Sequence, residues 1–263
     1  MTAIELAEKG WAPDWLIRLG IRRLLARRLA DEMDRNPQQR AARTQALMDE
    51  LASSAIAIET DAANEQHYEV PAAFYQLALG ARLKYSSSYY PPGVDSLDEA
   101  EEAMLKASCE QAELADGQRV LELGCGWGSL TLWMAGQYPN SQITAVSNSA
   151  SQRQFIEQRA LDLGLHNLKV ITCDVNQLEL DERFDRVVSV EMFEHVRNYR
   201  ELLKRVAGWL KPDGKLFVHI FCHRYLAYPF ETEGEGNWMG RYFFTGGLMP
   251  AADTLLHFQD DLA

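Results

Sequence analysis

The stretch RVLELGCGWG, residues 119–128, decides the fold class of this chain. A short aliphatic run, RVLELG at 119–124, leads into a turn with glycine at every second position. Glycine has no Cβ atom, so the backbone can turn tightly there and approach a ligand closely. A helical stretch, residues 129–138, follows the glycines. The pattern therefore predicts a strand, a ligand-binding turn and a helix, in that order.

The same alternation continues on the C-terminal side of this stretch. Further strands are predicted at QITAVS (142–147), LKVITCD (168–174), FDRVVSV (184–190) and KLFVHIF (215–221). Helical stretches lie between them at residues 151–163 and 199–210. Strands that alternate with helices form βαβ units, and hence a parallel, doubly wound α/β sheet. Such sheets bind ligands at the carboxyl ends of their strands, which is where the glycine turn falls.

The spacing of the glycines narrows the kind of ligand. The turn ELGCGWG (122–128) has the pattern G-x-G-x-G, which differs from the G-x-G-x-x-G of dinucleotide-binding turns. No lysine follows it, as one would in a phosphate-binding loop. A pyrophosphate cradle is therefore the weaker interpretation.

The first 66 residues are predicted to form a helical cap. Apolar side chains recur at helical spacing between residues 15 and 33, with five arginines among them. A second helix is predicted over residues 38–58, after Asn36-Pro37, because the residue before a proline disfavours the helical region. The basic helix either packs on its own domain with its arginines in water, or lies on an anionic membrane surface. The first alternative is favoured, and the sequence does not decide between them.

Length and composition are those of an ordinary globular protein. The 263 residues are 47% hydrophobic and 24% charged, which suits one large domain or one domain with an appendage. We divide the chain into the cap at 1–66, an aromatic segment with a helix at 67–117, and the sheet domain at 118–263. The net charge of −12 argues against nucleic acid as a partner, because an acidic surface and a phosphate backbone repel each other.

Three features of the sequence favour a cytoplasmic location. No run of about 18 apolar residues is present, so no transmembrane helix is expected. The start MTAIELAEKGW lacks the basic region and apolar stretch of a signal peptide. The four cysteines form no C-x-x-C pair, and we interpret them as reduced thiols. Nothing in the sequence indicates a metal site.

Several motifs together resemble one enzyme family. In chain order they are HYEVPAAFY (67–75), YSSSYY (85–90), LELGCGWGSL (121–130), SNSASQ (147–152) and FEHV (193–196). They resemble the cyclopropane fatty acid synthase superfamily of class I S-adenosylmethionine (SAM) methyltransferases. SVEMFEHVRNY (189–199), FCHRYLAYPFE (221–231) and HFQDD (257–261) are more similar to its coclaurine N-methyltransferase branch. The resemblance implies a Rossmann-like sheet beneath a helical cap, with SAM as cofactor.

The resemblance also implies a SAM site, motif by motif. Residues of YSSSYY would lie over the methionine moiety, the first glycines would admit it, and residues after the second and third strands would contact the ribose and the adenine. The implied residues are Tyr85 and Ser86, Gly124 and Gly126, Ser147, Asn148 and Gln152, and Asp174 and Val175.

A candidate acid–base cluster follows the fourth predicted strand. Glu191, Glu194 and His195 fall within five positions at the ligand-bearing edge of the sheet. The resemblance implies that the two carboxylates hold an ammonium group, and that the imidazole takes its proton directly or through water. Alternatively, these residues cap the next helix or pair with Arg197. The favoured function is N-methylation of a small, aromatic or alkaloid-like amine.

Cyclopropane formation on an unsaturated acyl chain is the alternative enzyme function. The similar synthases use a bicarbonate beside a cysteine, and this chain has Ser87 at that position. They also tend to have a small residue where this chain has Glu191, and an unpaired carboxylate is costly beside an acyl chain. Both departures favour an amine. His219 matches a position used in the synthases and keeps the alternative open.

The aromatic segment after the fifth predicted strand either covers the core or forms the acceptor pocket. Aromatic faces attract cations, so such a wall would suit an amine. The predicted pocket residues are Ser87, His219, Tyr228, Trp238 and Phe244.

The sequence stops soon after the fifth predicted strand, whereas members of the family usually continue through two more strands. A third hypothesis is therefore a SAM-binding module without activity. An open sheet edge also favours strand exchange between chains, which predicts a homodimer.

Overall fold

The computed structural model describes residues 3–33, 36–58, 70–234 and 236–262. Its centre is a parallel sheet of five strands in the order β3-β2-β1-β4-β5. The strands are β1 (Arg119–Leu123), β2 (Gln142–Ser147), β3 (Leu168–Thr172), β4 (Phe184–Val190) and β5 (Leu210–His219). All five strands predicted from the sequence are present, and the prediction of a parallel α/β sheet is confirmed.

Helices lie between the strands, as the alternating pattern predicts. They are α6 (Ser129–Gln137), α7 (Ala150–Asp162) and α8 (Tyr199–Trp209), and α5 (Leu97–Gln111) precedes the sheet. Side-chain caps fix where two of them begin, because Ser149 accepts from the Gln152 N–H and Asn198 from the Glu201 N–H.

The core has a layer on each face of the sheet. Leu121 of β1 lies in the layer that α8 covers, whereas Val120 lies in the layer covered by α5 and α6. Successive side chains of a strand point to opposite faces. This alternation places Glu122, which is 3% exposed, on the same face as Val120.

Strand β5 begins five residues earlier than the sequence predicts. Leu210 pairs with Phe184, the register then shifts, and Lys215 pairs with Arg186. Asp213 in this irregularity has φ 66. The sequence KPDG is typical of a turn, so the pairing of Leu210 with Phe184 before this turn could not be predicted from it. In the described residues β5 pairs with β4 alone, which leaves it at the edge of the sheet.

The N-terminal part is helical, as predicted, with α1 (Ala3–Glu8), α2 (Asp14–Glu32), α3 (Pro37–Ser53) and the later α4 (Ala72–Ala78). Met48 and Leu51 of α3 are buried in the α8 layer of the core. The Asn198 amide donates to the carbonyls of Ala52 and Ser54, at 3.1 and 2.8 Å. Helix α3 is thus part of the domain. His67, Tyr68 and Glu69 of the first family motif lie outside the described residues.

Helix α2 contacts the body of the protein through one narrow side. Arg28 donates to Asn237 and pairs with Glu32, whereas Trp15 and Leu25 are mainly exposed. Both interpretations of this helix therefore stay open. No helix among the described residues combines the length and apolarity that crossing a membrane requires.

The segment after β5, from residue 220 to residue 262, forms several short elements. It contains the two-stranded sheet β6 (Tyr228–Pro229) and β7 (Leu248–Met249), the helix α9 (Trp238–Tyr242) and a 3₁₀ helix (Thr254–Leu262). Phe258 of the 3₁₀ helix packs on Tyr199 with ring centroids 5.8 Å apart, so this segment is anchored on α8.

Candidate active site

The glycine turn lies at the carboxyl end of β1, the central strand. Gly126 and Gly128 have φ of 52° and 80°, in the left-handed region that favours glycine. A Cβ atom at Gly128 would lie 2.5 Å from Ile156 Cγ1, so close packing excludes it there. At Gly126 a Cβ atom would meet nothing within 4 Å. Gly128 is therefore required by packing, and Gly126 faces open space.

Two cavities meet at this turn, and Gly124 and Gly126 line both. The first cavity lies over the ends of β2 and β3, and its lining includes Ala57, Ser147, Asn148, Gln152, Cys173, Val175 and His195. The second cavity lies towards β4 and α5, and its lining includes Lys84, Tyr85, Ser86, Glu122, Ser129 and Glu191. The fold thus brings most of the predicted SAM site to one edge of the sheet.

Gln152 presents an amide to the first cavity. Its Oε1 accepts a hydrogen bond from Ser147 Oγ at 2.6 Å, which fixes the orientation of the amide. The side chain is 1% exposed, and Nε2 has no hydrogen-bond partner among the described residues. A buried donor without a partner is costly unless a ligand accepts from it.

The turn after β3 presents Cys173 and Val175 to the first cavity, and not Asp174. Asp174 Oδ1 accepts from the Asn176 backbone N–H at 2.7 Å and from its side-chain amide at 2.9 Å. Asn176 in turn exchanges two hydrogen bonds with the Ala57 backbone. Asp174 therefore shapes the turn that carries the lining residues.

The second cavity contains charges that the motif analysis missed. Glu122 is buried and accepts a hydrogen bond from Thr131 Oγ1. Burial raises the pKa of Glu122 to about 7. Lys84 is buried too, and burial lowers the pKa of its ammonium group. Glu122 lies within the glycine motif, and Lys84 directly precedes YSSSYY. Their positions in and next to these motifs could have identified both as residues of the site.

Glu101, on α5, was also missed. It is fully buried, and its carboxylate accepts from the backbone N–H groups of Gly80 (2.9 Å), Arg82 (2.9 Å) and Lys84 (3.2 Å). The sequence places Glu101 among acidic residues that favour the start of a helix, and that pattern gives no sign of the turn it binds.

Glu191 lies immediately after β4 with φ 50°, a left-handed conformation that is uncommon outside glycine. The Phe221 N–H donates to its Oε2 at 3.4 Å, and His219 Nε2 lies 3.8 Å from its Oε1. Burial raises the pKa of Glu191. Glu191, which belongs to the predicted acid–base cluster, is therefore a neighbour of His219, which belongs to the predicted acceptor pocket.

Glu194 and His195 lie on the 3₁₀ turn Phe193–His195. Glu194 is 3% exposed, and its Oε2 has no hydrogen-bond partner in the described part of the chain. Burial, reinforced by the charge of Glu191, raises the pKa of Glu194 to about 8. Arg197, its alternative partner, donates instead to the Gly246 carbonyl at 2.8 Å. His195 lines the first cavity, so the cluster spans the junction of the two cavities.

The other predicted pocket residues lie in three different places. Phe244 packs 5.8 Å from the His195 ring, beside the cluster. Tyr228 and Trp238 face the N-terminal helices, where they contact Arg28 (5.3 Å) and Glu8 (3.1 Å). Ser87 is exposed and lines neither cavity.

A Rossmann-like parallel sheet with a glycine turn between two cavities defines a class I SAM-dependent methyltransferase. The sequence model of one such family, described as mycolic acid cyclopropane synthetase, matches residues 57–261. The chain belongs to this family.

Known relatives agree with the assignment. The (S)-coclaurine N-methyltransferase of Thalictrum flavum subsp. glaucum is 40% identical over 265 residues, which cover 99% of this chain and 73% of that protein. The cyclopropane-fatty-acyl-phospholipid synthase of Escherichia coli is 33% identical over 190 residues, or 71% of this chain and 46% of that protein.

A solved structure of coclaurine N-methyltransferase bound to N-methylheliamine and S-adenosylhomocysteine (SAH) matches with a TM-score of 0.92 at 39% identity. The match covers 98% of this chain and 75% of that one. The predicted superfamily, fold and cofactor are thereby confirmed.

Proposed function

We propose that this protein transfers a methyl group from SAM to the nitrogen of a small, aromatic or alkaloid-like amine. The observation that carries the proposal is the half-buried carboxylate of Glu191, which lines the second cavity where it meets the first and acts through its charge on the carboxyl group of Glu194. The names of the relatives support this acceptor class, since two matched proteins, at 40% and 38% identity, are (S)-coclaurine N-methyltransferases.

The residues of both cavities fit SAM. In the first cavity Nε2 of Gln152, which has no hydrogen-bond partner among the residues that the structure describes, would donate to the ribose, beside Ser147 and Asn148. Val175 would lie against the adenine, on the turn that Asp174 shapes. In the second cavity Tyr85 and Ser86 would cover the methionine moiety, and Gly124 and Gly126 would let the ligand pass between the two cavities.

SAM, when bound, supplies an activated methyl group on a sulfonium. The protein has to align the acceptor nitrogen, and alignment contributes roughly 7–11 kcal/mol to such reactions. An aliphatic amine is mostly protonated near neutral pH and has no free lone pair. The Glu191 carboxylate attracts the ammonium form, Glu194 adds to this attraction only in its ionised form because its pKa is about 8, and His195 accepts the proton directly or through water.

The acceptor site lies where Phe244 packs beside His195. Phe244 also stacks on Phe230 with ring centroids 4.9 Å apart and contacts Phe221 at 5.3 Å. These aromatic rings provide a face for an aromatic amine, and their π-systems attract its cationic nitrogen.

Cyclopropane formation is the second candidate function, supported by the similarity to the synthase of Escherichia coli. Glu191 argues against it, because a carboxylate beside an acyl chain is costly without a counter-charge. A cytoplasmic location and a homodimer remain part of the proposal. The four cysteines are all free, which suits a reducing compartment.

The test is to incubate the protein with methyl-labelled SAM and either a panel of aromatic amines or unsaturated phospholipid vesicles. We expect label in the amines, and label in the lipid alone would overturn the proposal. Glu191→Ala, Glu194→Ala and His195→Ala variants are then compared with His166→Ala, which alters an exposed residue. Unchanged turnover in all three would remove the cluster from the mechanism.

A further inference from the structure

Lys84 is a buried ammonium group without an ion pair in the described part of the protein. Its side chain is 4% exposed and lines the second cavity. Nζ donates to Ser86 Oγ at 2.5 Å, which uses one of its three donors. No carboxylate oxygen of the described residues lies within the 4.0 Å of an ion pair.

Burial disfavours the ammonium form of Lys84 and lowers its pKa, and longer-range charges offset part of this effect. Glu191, Glu101 and Glu122 each act on Lys84 through their charge, whereas burial opposes the charged form. Removing a cation from water is costly unless a partner with good geometry compensates for it. Lys84 lines this cavity, and its hydrogen bond to Ser86 leaves two of the Nζ donors for a ligand that binds there.

We infer that Lys84 binds the carboxylate of the amino-acid end of SAM. This end of the cofactor carries one carboxylate and one ammonium group, and the second cavity offers a lysine together with Glu122 and Glu191. Tyr85 and Ser86, the residues proposed to cover the methionine moiety, follow Lys84 directly in the chain. The inference rests on the cofactor site proposed above and not on the identity of the acceptor.

Glu101 keeps Lys84 in position. Its Oε1 accepts from the N–H groups of Gly80 and Lys84, and its Oε2 accepts from that of Arg82. Because Glu101 is fully buried on α5, the backbone that carries the lysine is fixed to a helix of the core. Glu101 is thus a positioning residue, and Lys84 is the residue that touches the cofactor.

The test compares two ligands by calorimetric titration of the whole 263-residue chain. One ligand is SAH, and the other is its decarboxylated analogue, which keeps the adenosine, the thioether and the amine. We expect the wild-type protein to bind SAH roughly 10- to 100-fold more tightly, which is typical of a hydrogen bond to a charged group. In Lys84→Met this preference falls to near unity because only the affinity for SAH decreases.

Lys106→Met is the matched control, since Lys106 is exposed on α5 and pairs there with Glu110 at 3.9 Å. It should keep the wild-type preference. An equal loss of affinity for both ligands in Lys84→Met would overturn the inference. Equal affinity of the wild-type protein for both ligands would overturn it too. The wild-type comparison needs no variant, so equal binding of the two ligands would overturn the inference even if Lys84→Met fails to fold. Both titrations omit the acceptor, so failure of amine methylation would leave their outcome unchanged.

Discussion

Nε2 of His219 lies 3.8 Å from Oε1 of Glu191, where the ends of β4 and β5 meet. The Glu191 N–H also donates to the His219 carbonyl at 2.8 Å, so backbone and side chains hold the two residues together. Burial lowers the pKa of His219, and its imidazole is therefore mostly uncharged near neutral pH. Glu191 thus has a nearby polar neighbour without a full counter-charge, and its carboxylate can attract a cationic acceptor.

Glu191→Gln removes this negative charge at nearly constant volume. We expect kcat/KM for a cationic amine to fall by about 10- to 100-fold, the usual range for a hydrogen bond to a charged group. Steady-state kinetics with SAM at saturation measure the effect, and Glu157→Gln on the exposed side of α7 is the control. A variant as active as the control would show that the Glu191 charge takes no part in catalysis.

The buried carboxyl group of Glu194 makes stability depend on pH. Its pKa is about 8 in the folded protein and near 4.3 in an unfolded chain, so the folded state holds an additional proton between these values. Stability is then greatest below the lower value and decreases as pH rises through the upper one. The glutamine of Glu194→Gln does not titrate. The Tm of this variant minus the Tm of the wild type should therefore increase as the pH rises from 5 to about 8.5. A Tm difference that stays constant across this range would contradict the prediction.

Alanine at Gly126 and at Gly128 should have different effects. Both substitutions incur the left-handed backbone strain of roughly 1–2 kcal/mol. Gly128→Ala also places a methyl group 2.5 Å from Ile156 and should lower Tm further, since overpacking costs about 1–3 kcal/mol. Gly126→Ala should mainly weaken SAH binding, because its methyl group enters the space shared by both cavities. Thermal melts measure the Tm of each variant, and titrations measure its affinity for SAH. A larger loss of Tm in Gly126→Ala together with a larger loss of SAH affinity in Gly128→Ala would refute the cavity geometry.

Glu101→Gln should disturb the turn that carries Lys84. The amide keeps one acceptor but turns an NH₂ group towards a backbone N–H group, which leaves a buried donor unpaired at a cost of about 1–3 kcal/mol. We expect a lower Tm together with a KM for SAM that rises more than kcat falls. Glu102→Gln is the adjacent control, because the Glu102 side chain is 46% exposed and pairs with Arg82 at 2.8 Å. A loss of stability with an unchanged KM would limit Glu101 to a structural role.

Strand β5 pairs with β4 alone in the part of the chain that the structure describes, and this edge predicts self-association. Unpaired strand edges template pairing with another chain. We expect the mass measured by light scattering to rise from that of one chain towards that of two as protein concentration increases. A single monomer peak at high concentration would rule the prediction out.

The strands and the glycine turn were predictable because their signals are local. A β-branched run such as QITAVS specifies a strand by itself, and a glycine turn after a strand specifies a ligand-binding edge. The resemblance then supplied the residues around this turn, including Glu191 and Gln152, which line the two cavities.

The roles of side chains that depend on contacts with distant parts of the chain could not be predicted from the sequence. Glu101 resembles its neighbours at the start of α5, and only folding shows that it binds a turn about twenty residues away. Tyr228 and Trp238 belong to a predicted pocket, yet they contact helices more than 190 residues away in the chain. Neither relationship has a periodicity or a motif that could reveal it.

The hydrogen bonds between Asn176 and Ala57 determine how small a working fragment can be. Ala57 lines the first cavity, although it precedes the first strand of the sheet by more than sixty residues. A fragment starting at residue 118 would contain the five strands of the parallel sheet and the glycine turn, but neither Ala57 nor Lys84. The sheet therefore needs a shorter piece of the chain than the ligand site does. A fragment limited to the Rossmann-like portion would keep the fold of the sheet but lose part of the site that binds the ligand.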